Sequence, residues 1–468
     1  MAEQNFQNEM SSSDYIVEKV ELNSTRFLEP VELTSVISAI EIFEHIDKPL
    51  LSGNVAIHDT SRIYDRSDFQ GAENLLVSIK RSLNGPAYQK MFVIDTVTTR
   101  KINPTSEIIT FHITEESGFK SNLYNVNKSY RGKPSSIVQK IAEEYLKKSV
   151  NVIGDNDYQG DMNVIVPNMT PLEAMVWIKN RATNTEGYPY FLYSTFAEDF
   201  YSLANLGDLL SAQSMNKKNP YFFGHGAGLS PTEQRFMVIN DYRHQNAENM
   251  TRLIRNGLIG ANHHYYDSLH AFDQKIRFNI QDDLRDTIAE KNSDQSQMNV
   301  ADDYMFDDVP LAGHVSREIY KLSSSGAYTI GTGNYNSYDE EEYEGGHRKK
   351  LQAAALRHLL AKSAIEIKVD GREYMSARDQ DPVHYTIGNS IRLIFLANIS
   401  ANQLVQKVDP KKSGDYIIFT AKHTFVGERY DLTLLCAKVA NLNSDEYVTT
   451  VSAESQADNS SLPEEIIL

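Results

Sequence analysis

The chain has 468 residues, of which 41% are hydrophobic, and carries 46 Lys+Arg against 63 Asp+Glu for a formal net charge of −17. That length supports about two to four domains with buried cores. The acidic balance argues against nucleic-acid binding as the main task, because neutralising phosphates takes a basic face, and suits a soluble surface or a lining that repels DNA.

Residues 1–14 read as a flexible arm without the order of a signal peptide, and no apolar run approaches the about 18 residues of a membrane span. A first β domain is expected over 15–120: Val36, Ile37, Ile40, Ile42 and Phe43 lead into LSGNVAIHD, and two strands surround the turn pair Asn103-Pro104. An α/β module follows over 121–210. Pro134 opens a helix whose stripe is Ile137, Val138, Ile141, Ala142, Tyr145 and Leu146. Thr170 and Glu173 form a capping box for a second helix, and a strand is expected at Tyr190–Tyr193.

Residues 211–264 read as a linker and return strands, with 211–230 a loop by composition, a strand and short helix between Phe236 and Ile254, and a turn at Asn256-Gly257. Residues 265–346 are an acidic insertion. Its runs Asp302–Asp308 and Asp339–Glu342 read as solvated loops. A helix from His347 to Lys362 and a second β domain fill 347–445, and 446–468 is a polar tail.

The same strand cassette is written twice. GAENLLVSIKR from Gly71, then MFVIDTVTTRKINPTSEIITFHIT from Met91, parallels IGNSIRLIFLA from Ile387, then YIIFTAKHTFVGERYDLTLLCAK from Tyr416. Each copy has a glycine-led strand, a loop and two long strands joined by a polar turn. Self-similarity of this kind sets the architecture, and three such subunits present six similar modules. Simple alternation puts Ile417, Phe419, Ala421 and His423 on one face, mostly inside, and Ile418, Thr420, Lys422 and Thr424 on the other.

No catalytic constellation stands out: G-x-S-x-G, the P-loop, H-E-x-x-H and the EF-hand loop are all missing from the sequence. Gly331-Thr332-Gly333 reads as a loop. His263 and His264 are adjacent, so in a strand they face opposite ways and do not chelate one ion. His423 reads as a packed strand histidine. Cys436, the single cysteine, reads as a buried apolar residue, with no disulfide or cysteine-rich zinc site available. No catalytic, cofactor-binding or metal site is assigned.

Several segments together resemble the central baseplate hub proteins of contractile-tailed, T-even-type bacteriophages. IEIFEHIDKPLLSGNVAIHDTSRI (Ile40–Ile63) and GAENLLVSIK are similar to that family's opening barrel. PSSIVQKIAEEYL, MTPLEAMVWIKNRA and GYPYFLY are similar to its inserted α/β module, and SGDYIIFTAKHTFVGERYDLTLLCAK to its closing strands. The likeness lies in the order of segments over residues 15–440 and lapses at about 265–345.

The resemblance implies an α+β, mainly β chain with two tail-tube-like antiparallel β-barrel domains plus inserted α/β modules. It implies a non-enzymatic homotrimer whose six barrels form a pseudo-sixfold ring, joining the sixfold tail tube to a threefold spike and passing DNA during infection. Its implied partners are itself, a trimeric central spike protein, a tail tube protein or tube-initiator and baseplate wedge proteins. DNA crosses the lumen without specific binding, no membrane or cofactor is involved, and the protein ends in the virion tail after assembly in the host cytoplasm. Two other readings stay open. One is a tail-associated cell-wall hydrolase, with a carboxylate pair or Cys/His pair in 265–345. The other is a hub or spike-base protein of a phage-like contractile injection system.

Overall fold

The computed structural model describes residues 14–24, 26, 29–67, 69–80, 87–103, 106–154, 162–216, 220–223, 238–246, 250–267, 272–280, 282–284, 305–315, 317–322, 346–360, 363–371, 386–397 and 407–442. The first β run holds β1 (Ile16–Asn23), β2 (Val31–Glu32), β3 (Ile37–His45), β4 (Ser52–Asp59), the single turn α1 (Ile63–Arg66), β5 (Asn74–Lys80), β6 (Ala87–Asn103) and β7 (Ser106–Glu115). A mixed module follows: α2 (Glu116–Asn122), β8 (Ser129–Gly132), α3 (Pro134–Ile141), β9 (Val150–Ile153), β10 (Met162–Ile165), α4 (Pro171–Arg181), β11 (Tyr190–Ser194), β12 (Tyr201–Asn205) and α5 (Leu206–Ser211). Then come β13 (Tyr221–Phe223), β14 (Asp241–Asn246), α6 (Met250–Arg255), β15 (Ala261–Asp267), β16 (Phe272–Phe278), β17 (Met305–Phe306), β18 (Val309–Pro310), β19 (Glu318–Leu322) and α7 (Gly346–Leu359). The chain closes with β20 (Ser363–Asp370), β21 (Ser390–Ala397), β22 (Lys407–Val408), β23 (Gly414–Val426) and β24 (Arg429–Asn441).

The molecule is mainly β. Fourteen strands share one sheet, whose path runs β14-β20-β24-β23-β3-β4-β7-β6-β5-β1-β2, with β21 on β23 and carrying β13 and β22. The order β3-β4-β7-β6-β5 recurs as β14-β20-β24-β23-β21, antiparallel at every step.

The repeat extends to backbone detail. Each long strand has a bulge at the same place, between Ile94 and Thr96 in β6 and between Ile418 and Thr420 in β23. Before each bulge the same two hydrogen bonds form. Ala72 N–H donates to Ile94 O at 2.9 Å and Ile94 N–H to Glu73 O at 2.9 Å; Gly388 N–H donates to Ile418 O at 2.9 Å and Ile418 N–H to Asn389 O at 3.0 Å. Ala72 (φ 66°) and Gly388 (φ 85°) both take the left-handed region at this corner.

Two closed barrels are not seen among the described residues: the fourteen strands of the two cassettes and their flanks run as one continuous sheet. The reason is that β3 pairs with β4 on one side and β23 on the other, so the cassettes share a seam. The expected face assignment in β23 also changes. The bulge breaks the alternation at Phe419, so Ile417 and Ile418 are both buried and Phe419 is half-buried. Beyond it, Ala421, His423 and Phe425 point inward.

Three hydrophobic clusters follow from the patterning. One packs Val20, Ile40, Ile57, Val77 and Phe111 in the first cassette. Another packs Ile365, Leu393, Tyr416, Leu434 and Leu356 in the second. The third fills the mixed module with Ile137, Ile141, Met175, Ile178 and Leu203. The capping box of α4 is present: Glu173 N–H donates to Thr170 Oγ1 at 3.4 Å and Thr170 N–H to Glu173 Oε2 at 3.1 Å.

Composition alone misjudged several connections. The loop expected over 211–230 includes β13, which pairs parallel with β21. The acidic stretch supplies β19, parallel to β15, and the β17–β18 hairpin, in which Asp307 and Asp308 take the left-handed turn positions. Asp14, assigned to the arm, is buried and donates its N–H to Glu428 O at 2.9 Å. Residues 1–13, Pro104, Gly331-Thr332-Gly333, Asp339–Glu342 and the 446–468 tail lie outside the described residues.

Candidate functional site: the seam between the cassettes

The seam is where the two copies of the cassette meet. Ala39–His45 of β3 runs antiparallel to Thr420–Val426 of β23, with Ile42 opposite His423, Glu41 opposite Thr424 and Ile40 opposite Phe425. On the inner side the Phe425 and Tyr430 rings stack at 4.4 Å. His423 Nδ1 lies 2.7 Å from Tyr430 OH, and its Nε2 is 3.3 Å from Glu44 Oε1. That carboxylate oxygen accepts its hydrogen bond from Phe196 N–H at 2.6 Å. On the outer side Lys422 pairs with Glu41 at 2.7 Å, and Asn54 Nδ2 donates to Glu41 at 3.2 Å. An apolar and hydrogen-bonded inner face with an ion pair outside is the anatomy of a permanent join.

Two ionic clusters clamp the mixed module onto this framework. In the first, buried Lys90 of β6 lies 3.8 Å from buried Glu115 of β7, and Lys148 before β9 also pairs with Glu115. Asp199, between β11 and β12, lies 3.6 Å from both lysines. Burial holds the Lys90 ammonium below its ordinary range, against the pull of Glu115. In the second, Asp47 after β3 receives Lys179 of α4 and Arg357 of α7, the latter at 3.0 Å. Arg357 also donates to Tyr190 O at 2.6 Å. Burial first, and the nearby Arg357 second, depress Lys179 to about 8. Asp47 is thus the point where the first cassette, the mixed module and the helix before the second cassette meet.

The residues singled out from sequence sit apart from one another. His423 is 3% exposed and locked in the seam. Cys436 is fully buried in β24, where burial pushes its thiol up and out of the nucleophilic range. His263 is buried, its Nε2 2.8 Å from Gly257 O, while His264 turns the other way to Glu318 at 2.6 Å. In the 265–346 stretch Asp282, Asp283 and Glu318 are held by structural partners. Asp283 takes Arg348 and accepts Asn279 N–H at 2.8 Å; Asp282 accepts Asn279 Nδ2; Glu318 accepts Asn262 Nδ2 at 2.6 Å. These are satisfied pairs and do not frame a reacting atom. The seam and both ionic clusters were missed by sequence reasoning, because their members are far apart in the chain, 310 residues for Asp47 and Arg357 and more across the seam, with no local pattern linking them.

No protein-family model matches the chain. No curated protein matches it either. Among solved structures it is similar to a tail protein from Neisseria meningitidis (10% identity, 91% of this chain and 96% of that one, TM-score 0.48). It is also similar to the 43 kDa tail protein of prophage MuSo2 from Shewanella oneidensis (9%, 90% and 98%, TM-score 0.46). A third is an E. coli component of the type VI secretion system, described as structurally similar to T4 bacteriophage tail proteins (9%, 90% and 77%, TM-score 0.39).

Proposed function

We propose that this protein is the central baseplate hub of a contractile, phage-type tail. It acts as a homotrimer whose six cassettes build a pseudo-sixfold, barrel-walled ring between a sixfold tube and a threefold spike. The observation that carries the reading is the exact-order repeat β3-β4-β7-β6-β5 and β14-β20-β24-β23-β21, joined within one chain by a strand seam. A symmetry adaptor needs two like walls per subunit, because a ring of three then offers six equivalent positions upward. The mixed module, which differs from the cassettes and occurs once, supplies a threefold feature downward. The net charge of −17 suits a lumen through which DNA slides without adhering.

The reading assigns no catalytic residue. The spike, tube or tube-initiator, and wedge proteins are its partners, and the baseplate of a virion is its place. Mixing the chain with the trimeric spike protein from a neighbouring gene tests it: a three-to-three complex is expected, and spike trimers that elute apart from the chain contradict it. Peptidoglycan embedded in a gel should stay opaque over the renatured band; clearing would favour the wall-hydrolase reading.

A further inference from the structure

The repeat predicts more than a likeness between cassettes. In the first cassette, β5 covers only Ala87–Val93 of β6, and beyond the bulge Thr96–Lys101 pairs with β7 alone among the described residues. The matching half of β23 is covered by β3. At the far end of the sheet, β14 pairs with β20 alone among the described residues, whereas its counterpart β3 is paired on both sides. Among the described residues there is therefore one edge without a β3-like strand and one β3-like strand without a second partner.

The composition of the β6 edge fits a covered strand. Val97, Thr98 and Thr99 are β-branched, yet Thr96, Thr98, Thr99, Arg100 and Lys101 are all exposed. An exposed edge without proline is the kind that pairs with another chain.

We propose that Val97–Lys101 of one copy pairs antiparallel with Tyr242–Asn246 of a second copy, reproducing between subunits the seam that β3 and β23 make within one. The proposal rests on the ring reading above and specifies its second joint. The shared bulges equate Thr424 with Arg100, and the pairings of β4 and β20 equate Glu41 with Arg243. The register follows: Thr99 faces His244, Arg100 faces Arg243, and Lys101 faces Tyr242. Arg100 then lies diagonal to Asp241. Arg243 is already held by Glu366 at 3.0 Å, which offsets the like charge opposite it. Tyr242 already packs against the second cassette's core and edge-on to Phe395 at 4.9 Å, so it presents a fixed ring to the incoming strand. One donor edge and one acceptor edge per copy make a head-to-tail joint, which closes into a ring or runs on as a filament according to its rotation.

The test is disulfide trapping on the full chain carrying Arg100→Cys and Arg243→Cys. Facing strand residues have Cα separations that a disulfide spans. Both positions are exposed, and Cys436 is too buried to compete. Glu41→Cys with Thr424→Cys serves as the internal control, since that pair should bridge within one chain. The expected result is a covalent trimer on a non-reducing gel from the double variant, with monomer bands from each single variant and melting close to wild type. A trimer by light scattering that runs as uncrosslinked monomers overturns the strand pairing and leaves the ring reading intact. A covalent dimer from Arg243→Cys alone overturns it in favour of a twofold joint. A chain monomeric at every concentration, both alone and with the spike added, contradicts both the pairing and the ring.

Discussion

Arg357 of α7 reaches Asp47 after β3 at 3.0 Å, across 310 residues of chain. The same carboxylate receives Lys179, which is 1% exposed. One acidic side chain therefore holds three parts of the fold in register. A buried ion pair of this kind adds little net stability but is costly to break from one side. Asp47→Ala leaves Lys179 buried without its anion and should cost about 3 kcal/mol, read as a lower urea midpoint with unchanged slope. Arg357→Ala, on a side chain with more water around it, should cost less.

The buried lysines set a pH dependence. Lys179 and Lys438 are pushed down to about 8, in both cases by burial first, and Lys90 is lowered by the same cause, against an ordinary value of 10.5. Between about pH 8 and 10.5 the unfolded chain binds more protons at these groups than the native one, so unfolding free energy rises with pH. Tyr193, Tyr201, Tyr416 and Tyr430 are raised above 10.0, chiefly by burial. Above pH 10 the unfolded chain loses protons that the native chain keeps, and stability falls. Denaturant melts at stepped pH should climb from pH 8 and turn over above pH 10. Lys179→Met should flatten the climb.

Glycine positions give sharp steric predictions. A Cβ on Gly53 would sit 2.4 Å from the Glu41 carbonyl oxygen, inside the β3–β4 pairing. Gly53→Val should therefore sharply lower the yield of soluble, folded protein, read by sizing column and melting temperature. A Cβ on Gly388 would sit 2.7 Å from Tyr193 OH, and its φ of 85° is unfavourable for any side chain. Gly388→Ala should cost about 1–2 kcal/mol, seen as a lower melting temperature.

The first cassette carries alanine at the equivalent corner. Ala72 holds a φ of 66°, a conformation glycine takes freely. Ala72→Gly should make the chain up to about 1 kcal/mol more stable, because relief of the left-handed strain outweighs the added freedom of the unfolded chain. Chemical denaturation reads the sign directly.

Local chemistry explains what the sequence made legible. The Thr170–Glu173 box and the Pro134 helix start depend on residues a few positions apart, and both are where spacing places them. The doubled cassette was readable because each copy repeats strand lengths and turns. The seam was not, since a strand's second neighbour is chosen by tertiary packing. Phe419 misled because a single inserted residue reverses alternation. β13 went unseen because three residues within a glycine-rich stretch carry no period, and Glu115 and Asp199 give no sign in sequence that they will meet Lys90 and Lys148.

The central claim is that copies of this chain close into a ring of three. Light scattering on a sizing column, with the chain alone and then with the proposed spike partner, measures it most directly. The account predicts a stable species of three subunits of 53.0 kDa each, alone or on adding the spike. A mass of one or two subunits under both conditions would contradict it.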